Sequence, residues 1–480
     1  NNSPDIQNHN LSVRGKSKNT SYFISTGITD QKNFLVNDNF KRNTIRINID
    51  NKITDWLSVG VKSFIANSDF SGASPDIRTI HIIPSVTTPY DDNGELIVQP
   101  WFAGVLNPLL RQKVDDLEER LNIDGAFYAD VKLPIEGLSY RLSAALKRST
   151  YKHYFFNPWG ENQQGTGYKY NAFDKSYTLD NILTYKKTFN DVHDINVTLL
   201  YGRENRSQEF TRTEASVFTN DVLGYNSLEA GNADNINIDT GAWEENSLYS
   251  MARLFYTYDN KYMLTGTIRR DGFSGFSEKN KFGVFPSVAL GWVISNESFL
   301  EESNSINNLK LRASYGVNGN RTLGRYQTLA SVTSEPSYLY GDGASPVNGQ
   351  SVERLPNEDL KWETTTGLNI GLDFGLFNSK VFGSIDYYTT KTEDLLYDIN
   401  IPTVNGFSGV TTNIGQIDNK GLEINLSATP VRTDSFSWDV GLNFSRNRNK
   451  VATILGRDDD GDGREDDLVS NSIFIGEPLG

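Results

Sequence analysis

Three regularities in the 480 residues predict an all-β chain that crosses a membrane as a transmembrane antiparallel β-barrel. Apolar and polar residues alternate at period two in segment after segment, the pattern of a sheet with one greasy and one polar face. These segments run about 9–12 residues, against ~5–6 for soluble sheets and ~9–11 for a tilted membrane strand. Short turns alternate with long connections, as in outer-membrane barrels. Composition agrees, since 40 Gly, 26 Phe and 23 Tyr with two Met favour strand over helix.

The elements follow in order. Thr44–Ile49 alternates, breaks at Ile53–Trp56, and resumes through Leu57, Val59, Val61 and Ile65. A second pair runs from Ile123 to Leu133 and, after Pro134–Gly137, from Leu138 to Leu146. A third joins Tyr177–Tyr185 to Ile195–Tyr201, and a fourth joins Leu248–Tyr258 to Tyr262–Ile268 across Asp259-Asn260-Lys261. Leu368–Gly375 with Lys380–Tyr388, and Gly421–Thr429 with Ser437–Asn447, complete the set. The turns are rich in Asn, Asp, Gly and Pro, as hairpins require. The long connections are expected at residues 67–121, 149–176, 203–246, 319–353 and 391–415. Aromatics near strand ends (Trp56, Tyr185, Tyr201, Tyr258, Tyr262, Tyr387, Tyr388, Trp438) are expected to form interfacial girdles. Pro286 inside a strand pattern implies a bulge or strand start, and Gly283, Gly291, Gly371 and Gly383 are expected to permit kinks.

Several classes drop out. No window approaches the ~18 apolar residues of a membrane helix. Zero Cys excludes disulfide scaffolds, thiolate metal sites and thiol nucleophiles. The charge of −14 argues against nucleic acid as a partner. His9, His81, His153 and His193 are far apart, no Walker A loop or Gly-x-Ser-x-Gly elbow is present, and no enzyme is expected. The alternative that periodicity leaves open is a secreted or surface β-rich glycan-binding protein without transport.

Residues in the second half carry a family resemblance. They are 262–272 (YMLTGTIRRDG), 283–295 (GVFPSVALGWVIS), 297–300 (ESFL), 309–316 (LKLRASYG) with 319–320 (GN), 357–363 (NEDLKWE), 386–388 (DYY), 392–396 (TEDLL) and 413–423 (NIGQIDNKGLE). With 9–12 (HNLS) and 21–25 (SYFIS), they resemble the SusC/RagA-type TonB-dependent transporters of Bacteroidota outer membranes. The resemblance implies part of a twenty-two-stranded barrel over residues 1–480, with the plug domain and TonB box absent from this chain. It implies TonB-dependent import of oligosaccharides or peptides across a Gram-negative outer membrane. The partners it implies are a SusD-like surface lipoprotein, TonB–ExbB–ExbD acting through a plug, membrane lipid or lipopolysaccharide, and a dimer of the transporter–lipoprotein pair. The expected strand number, about 14–16, is too small to close such a barrel, so the chain is expected to be a fragment.

Two sets of site residues follow. Sugars and peptides stack on flat rings, and Tyr90, Trp101, Trp159, Tyr338 and Tyr340 lie in expected outer loops, with Trp101 and Trp159 the first choices. No cofactor is required, but residues 458–467 (DDDGDGREDD) place Asp458, Asp460, Asp462 and Asp466 at positions 1, 3, 5 and 9 of a Ca²⁺ loop. Gly463 is at position 6, and Arg464 at position 7 offers only its carbonyl. Val469 stands where a bidentate Glu usually closes the site, so a weak extracellular site is expected.

Overall fold

The structure, a computed structural model, describes residues 3–478 except 81, 102–103, 301–302, 334–337, 340–345, 348, 459–460 and 470–471. The chain is nearly all β. Its first eight strands are β1 (Asp5–Lys16), β2 (Thr20–Lys32), β3 (Asn39–Lys52), β4 (Leu57–Asp69), β5 (Asp115–Lys132), β6 (Leu138–Asn157), β7 (Thr166–Phe189) and β8 (His193–Ser216). Then come β9 (Asn237–Tyr258), β10 (Tyr262–Phe273), β11 (Phe282–Val293) and β12 (Ile306–Asn320). Four short strands, β13 (Ser331–Thr333), β14 (Tyr338–Leu339), β15 (Pro346–Val347) and β16 (Ser351–Arg354), precede β17 (Glu363–Leu376), β18 (Val381–Asn400), β19 (Gly409–Arg432) and β20 (Ser437–Thr453). Sixteen strands hydrogen-bond in sequence order, β1 to β12 and then β17 to β20, while β13 pairs with β16 and β14 with β15. No helix is long and apolar enough to cross a membrane.

Short and long connections alternate as expected, with one departure. The link between β11 and β12 falls on the short side of the alternation yet runs through a 3₁₀ turn, Ile294–Asn296. The strands are longer than their alternation suggested, reaching 24 residues in β7, β8 and β19. In the upper part of β8 both faces are mostly polar, so the ladder continues in residues whose hydropathy no longer alternates. The long connections shrink accordingly, and much of 149–176 and 203–246 is strand.

The chain divides into two compact units: Asn1–Lys132, Arg141–Asp180 and Glu204–Glu244; and Leu133–Tyr140, Asn181–Arg203 and Glu245–Gly480. In the second, register aligns a cross-strand row of apolar side chains: Tyr258, Tyr262, Trp292, Leu311, Leu372, Ile385, Ile424 and Phe444. One residue further along, the row on the opposite face reads Met263, Gly291, Arg312, Gly371, Asp386, Glu423 and Ser445. The next row on that polar face is Thr265, Ala289, Ser314, Asn369, Tyr388, Gly421 and Asn447. In the first unit Leu11, Thr26, Ile45, Ile65 and Ile123 share one face, and Ser12, Ser25, Arg46, Phe64 and Asp124 share the other.

The apolar rows are not a core. Leu290 is 57 % exposed and Leu11 68 % exposed. A water-soluble sandwich would bury such rows against a second sheet, so the secreted-sandwich form of the alternative fails here. On β10 the band runs from Tyr262 to Ile268, and Arg270 caps it on the same face. From Tyr262 to the capping Arg270 is eight steps, roughly 26 Å along the strand at ~3.3 Å each, on the scale of the apolar band of a membrane barrel.

The buried clusters lie instead around strand ends and connections. Phe273, Phe276, Phe285, Leu323, Leu360 and Trp362 form one. Ile414, Val451, Ile454 and Ile473 form another. Residues 357–362 are stitched to β19 by Asn413. Its Nδ2 donates to the carbonyls of Lys361 and Asp394, and its Oδ1 accepts from Lys361 N–H. Trp362 is therefore a packing residue.

One expectation about backbone is corrected. Pro286 marks neither a bulge nor a strand start. It sits inside β11 opposite Ile268, and the ladder to β12 begins one residue later at Ser287, so its missing N–H breaks no bond on that side. Gly371 is also a cradle, because a Cβ there would collide with Asp386 Oδ1 and the Arg312 guanidinium.

Candidate functional site

The polar face carries the chemistry, and its charges are handled differently in the two units. In the second, Arg312 on β12 donates from Nε and an Nη to both Asp373 oxygens at 2.8 Å, and from the same Nη to Asp386 at 3.1 Å. Arg269 forks onto Asp271 two residues away at 2.7 Å. These are bidentate, charge-paired arginines.

In the first unit the polar face opens into two adjoining clefts. The larger, about 500 Å³, is lined by Arg120, Lys147, Tyr151, Tyr170, Arg206 and Trp243 among others. The smaller, about 390 Å³, is lined by Arg46, Lys62, Phe64, Asp124 and Lys147 among others. The Arg46 guanidinium lies 5.1 Å from the Phe64 ring centre and Arg120 lies 5.0 Å from that of Tyr151. Hydrogen bonds set the rings in place. Trp243 Nε1 donates to Gln208 at 2.7 Å, and Gln208 Nε2 donates to Asp174 at 2.8 Å. Tyr151 hydroxyl donates to Glu118, and His153 Nε2 lies 2.9 Å from Asp116. Loop aromatics were the sequence-level candidates, so these strand residues were missed. The available signal was the polar half of each alternation, where Arg46, Lys62 and Lys147 recur at strand positions.

The predicted loop aromatics are not gathered into one site. Trp159 lines a cleft of about 450 Å³ with Ile82, Leu106, Leu110, Val114 and Phe155. Asn107, 2 % exposed, pins this loop by donating to the carbonyls of Pro89 and Ile97. Tyr90 and Trp101 belong to the same connection but are exposed and do not line that cleft. Tyr338 is described only through its backbone pairing with Val347, and Tyr340 lies outside the described residues.

In the acidic loop, Asp458 Oδ1 accepts from the N–H groups of Gly461 and Asp462, and Oδ2 from Gly463. Asp462 accepts from Arg464 N–H, and Asp466 N–H donates to the Arg457 carbonyl. Asp460 lies outside the described residues, and among those described no cluster of three or more metal-type ligands is present.

Aromatics mark the short-turn end of the second unit. Tyr258, Tyr262 and Trp292 stack in series, with His193 tilted against Tyr258. Tyr262 hydroxyl and Trp292 Nε1 both donate to Glu297 Oε1, which holds that carboxyl below its usual range. Trp56, Tyr201 and Trp438 are exposed, as a girdle requires. Tyr388 departs from the expectation, because its position on β18 places it on the polar face, where its hydroxyl meets Asn447.

Comparison with known proteins agrees with this geometry. The family described as "TonB dependent receptor-like, beta-barrel" matches residues 67–479. TonB-dependent receptor P39 of Formosa agariphila is 31 % identical over 98 % of this chain and 45 % of its own length. TonB-dependent receptor SusC of Bacteroides thetaiotaomicron is 30 % identical over 94 % of this chain and 47 % of its own length. The chain spans about half the length of the curated relatives it matches. Among solved structures, the RagAB peptide importer in its open-open state superposes with a TM-score of 0.81 at 25 % identity, over 98 % of this chain and 53 % of that one. The ferric citrate transporter FecA, at 8 % identity and a TM-score of 0.55 over 94 % of this chain and 57 % of that one, shares the fold alone.

Proposed function

The chain belongs to the TonB-dependent receptor-like β-barrel family, and from that premise we propose that it forms wall and loops of a SusC/RagA-type importer in the outer membrane of a Gram-negative bacterium. That family resides in the outer membrane, and the relatives named above are receptors and transporters rather than enzymes. Cargo would be an oligosaccharide or a peptide. Capture would occur at the long-connection side together with a SusD-like lipoprotein, and TonB–ExbB–ExbD would drive release through a plug.

The observation that carries this reading is the separation of the two faces. The row from Tyr258 to Phe444 is apolar on every strand it crosses, while the row beside it on the opposite face carries Arg312, Asp386 and Glu423. An exposed apolar band of that extent is unfavourable in water and favourable in lipid. The complete gene product is expected to need detergent, to migrate differently on a gel before and after boiling, and to be required for uptake of one nutrient. A protein that purifies without detergent and shows no heat-dependent shift would overturn the reading. Within it we propose weak Ca²⁺ binding by Asp458, Asp460, Asp462, the Arg464 carbonyl and Asp466. Calcium titration with and without chelator checks this, with bound metal expected only at millimolar Ca²⁺.

A further inference from the structure

We propose that the polar face of the first unit is a binding track for acidic oligosaccharides, chains bearing carboxylate or sulfate groups. The inference rests on the importer reading, because it needs that face to be wet.

Charge is the first argument. The chain carries −14 overall, yet the two clefts are lined by six cations (Arg46, Lys62, Arg120, Lys147, Lys175, Arg206) against two carboxylates, Asp124 and Asp174. Among the described residues, Arg46, Lys62, Arg120 and Lys147 form no ion pair, and the two arginines rest on aromatic rings. The polar face of the second unit shows what a purely structural arginine looks like, since Arg312 is clamped by two carboxylates. A concave wall lined by one sign of charge concentrates ions of the other.

Spacing is the second argument. Arg46, Lys62, Arg120 and Lys147 sit on β3, β4, β5 and β6, one cation per successive strand. Register offsets them along the strands: Lys62 pairs with Ala126 and Arg120 with Ser68, so these two lie six residues, roughly 20 Å, apart along the wall, a length that a chain of several sugar units would span. Tyr151, Tyr170 and Trp243 supply rings for the apolar faces of the sugars. Lys147 lines both clefts and joins them into one track.

The third argument separates a glycan from an acidic peptide. The strands here are interior to the sheet, with backbone groups already spent in ladders on both sides. No edge is offered for a peptide to add as a strand, so recognition falls to side chains.

The test uses the complete transporter with its lipoprotein in detergent. Binding is measured by calorimetry for oligogalacturonate, a sulfated galacto-oligosaccharide, a neutral malto-oligosaccharide and an oligoglutamate peptide. At least one acidic oligosaccharide should bind about tenfold tighter than the neutral one and the peptide, and should weaken as salt rises. Which of the two binds identifies carboxylate or sulfate as the recognised group. Arg46→Gln/Arg120→Gln/Lys147→Gln should abolish the preference, and Arg46→Lys/Arg120→Lys should keep it. Lys147→Gln alone, at an exposed residue, should weaken acidic binding about threefold and covers a folding defect in the triple variant. Equal binding of acidic and neutral chains, preference for the peptide, or equal loss of every ligand in the glutamine variants would overturn the track. Intact uptake with no charge preference would refute the track alone, whereas absence of any uptake phenotype would refute the importer.

Discussion

The polar faces of the two units treat arginine in two ways. Arg312 in the second unit spends its donors on Asp373 and Asp386, and Gly371 leaves the space that lets the three meet. Arg46 and Arg120 in the first unit lie over Phe64 and Tyr151. A paired arginine holds strands together, while one resting on a ring keeps its N–H fork available. Cross-strand bracing thus characterises the polar face of the second unit, and exposed cationic surface that of the first.

Substitution of the two arginines separates these roles most sharply. Arg312→Leu leaves Asp373 and Asp386 facing each other without their cation, and should lower stability by about 1–3 kcal/mol, a buried-pair cost reduced for partial exposure. Arg46→Leu should change stability by less than ~0.5 kcal/mol. Denaturant midpoints of the folded barrel, read by heat-modifiable migration, check both. Similar losses at the two sites would erase the distinction.

The glycines give a smaller contrast. Gly371→Ala pushes a methyl into the Arg312–Asp386 contact and should cost about 1–3 kcal/mol of overpacking. At Gly125 in the first unit an added Cβ meets only the Leu146 carbonyl, at 4.0 Å. Gly125→Ala should therefore be within ~0.5 kcal/mol of neutral by the same assay.

Much of this was legible in the sequence. The middles of strands such as Tyr262–Ile268 and Leu368–Gly375 carry period-two alternation because one side meets lipid and the other water. The turn Asp259-Asn260-Lys261 marks itself by residue type, and Asp259 and Asn260 adopt positive φ. What was not legible is what alternation does not encode. The upper part of β8 is mostly polar on both faces, so it reads as loop. The cationic clefts depend on cross-strand neighbours more than a hundred residues apart, such as Arg46 and Lys147, which share the smaller cleft. Loop aromatics were legible as residue types but not as a group: Trp159 lines a cleft and Trp101 stays exposed.

The smallest effect concerns Glu297. Hydrogen bonds from Tyr262 and Trp292 depress its carboxyl below the usual 4.5, so the anion is favoured when folded. This contribution is present above pH ~4.5 and fades as pH falls through the lowered value. Trp292 fluorescence, taken as the difference between wild type and Glu297→Gln, should titrate with a midpoint below 4.5. A midpoint above 4.5 would remove the proposed hold on the girdle, and with it one of the fixed contacts set against the exposed cations.

The division of the polar face has meaning only if its partner face lies in lipid. These 480 residues contain no cysteine, so single cysteines placed along β10 meet no background from them, and any cysteine elsewhere in the complete protein is first replaced by serine. Spin labels at residues 262 to 269, in the complete protein in lipid bilayers, report contact with oxygen in lipid against a nickel chelate in water. Labels at 262, 264, 266 and 268 should favour oxygen, and those at 263, 265, 267 and 269 should favour the chelate. Equal accessibility at both parities, or protection of the even positions from both reagents, would contradict the account.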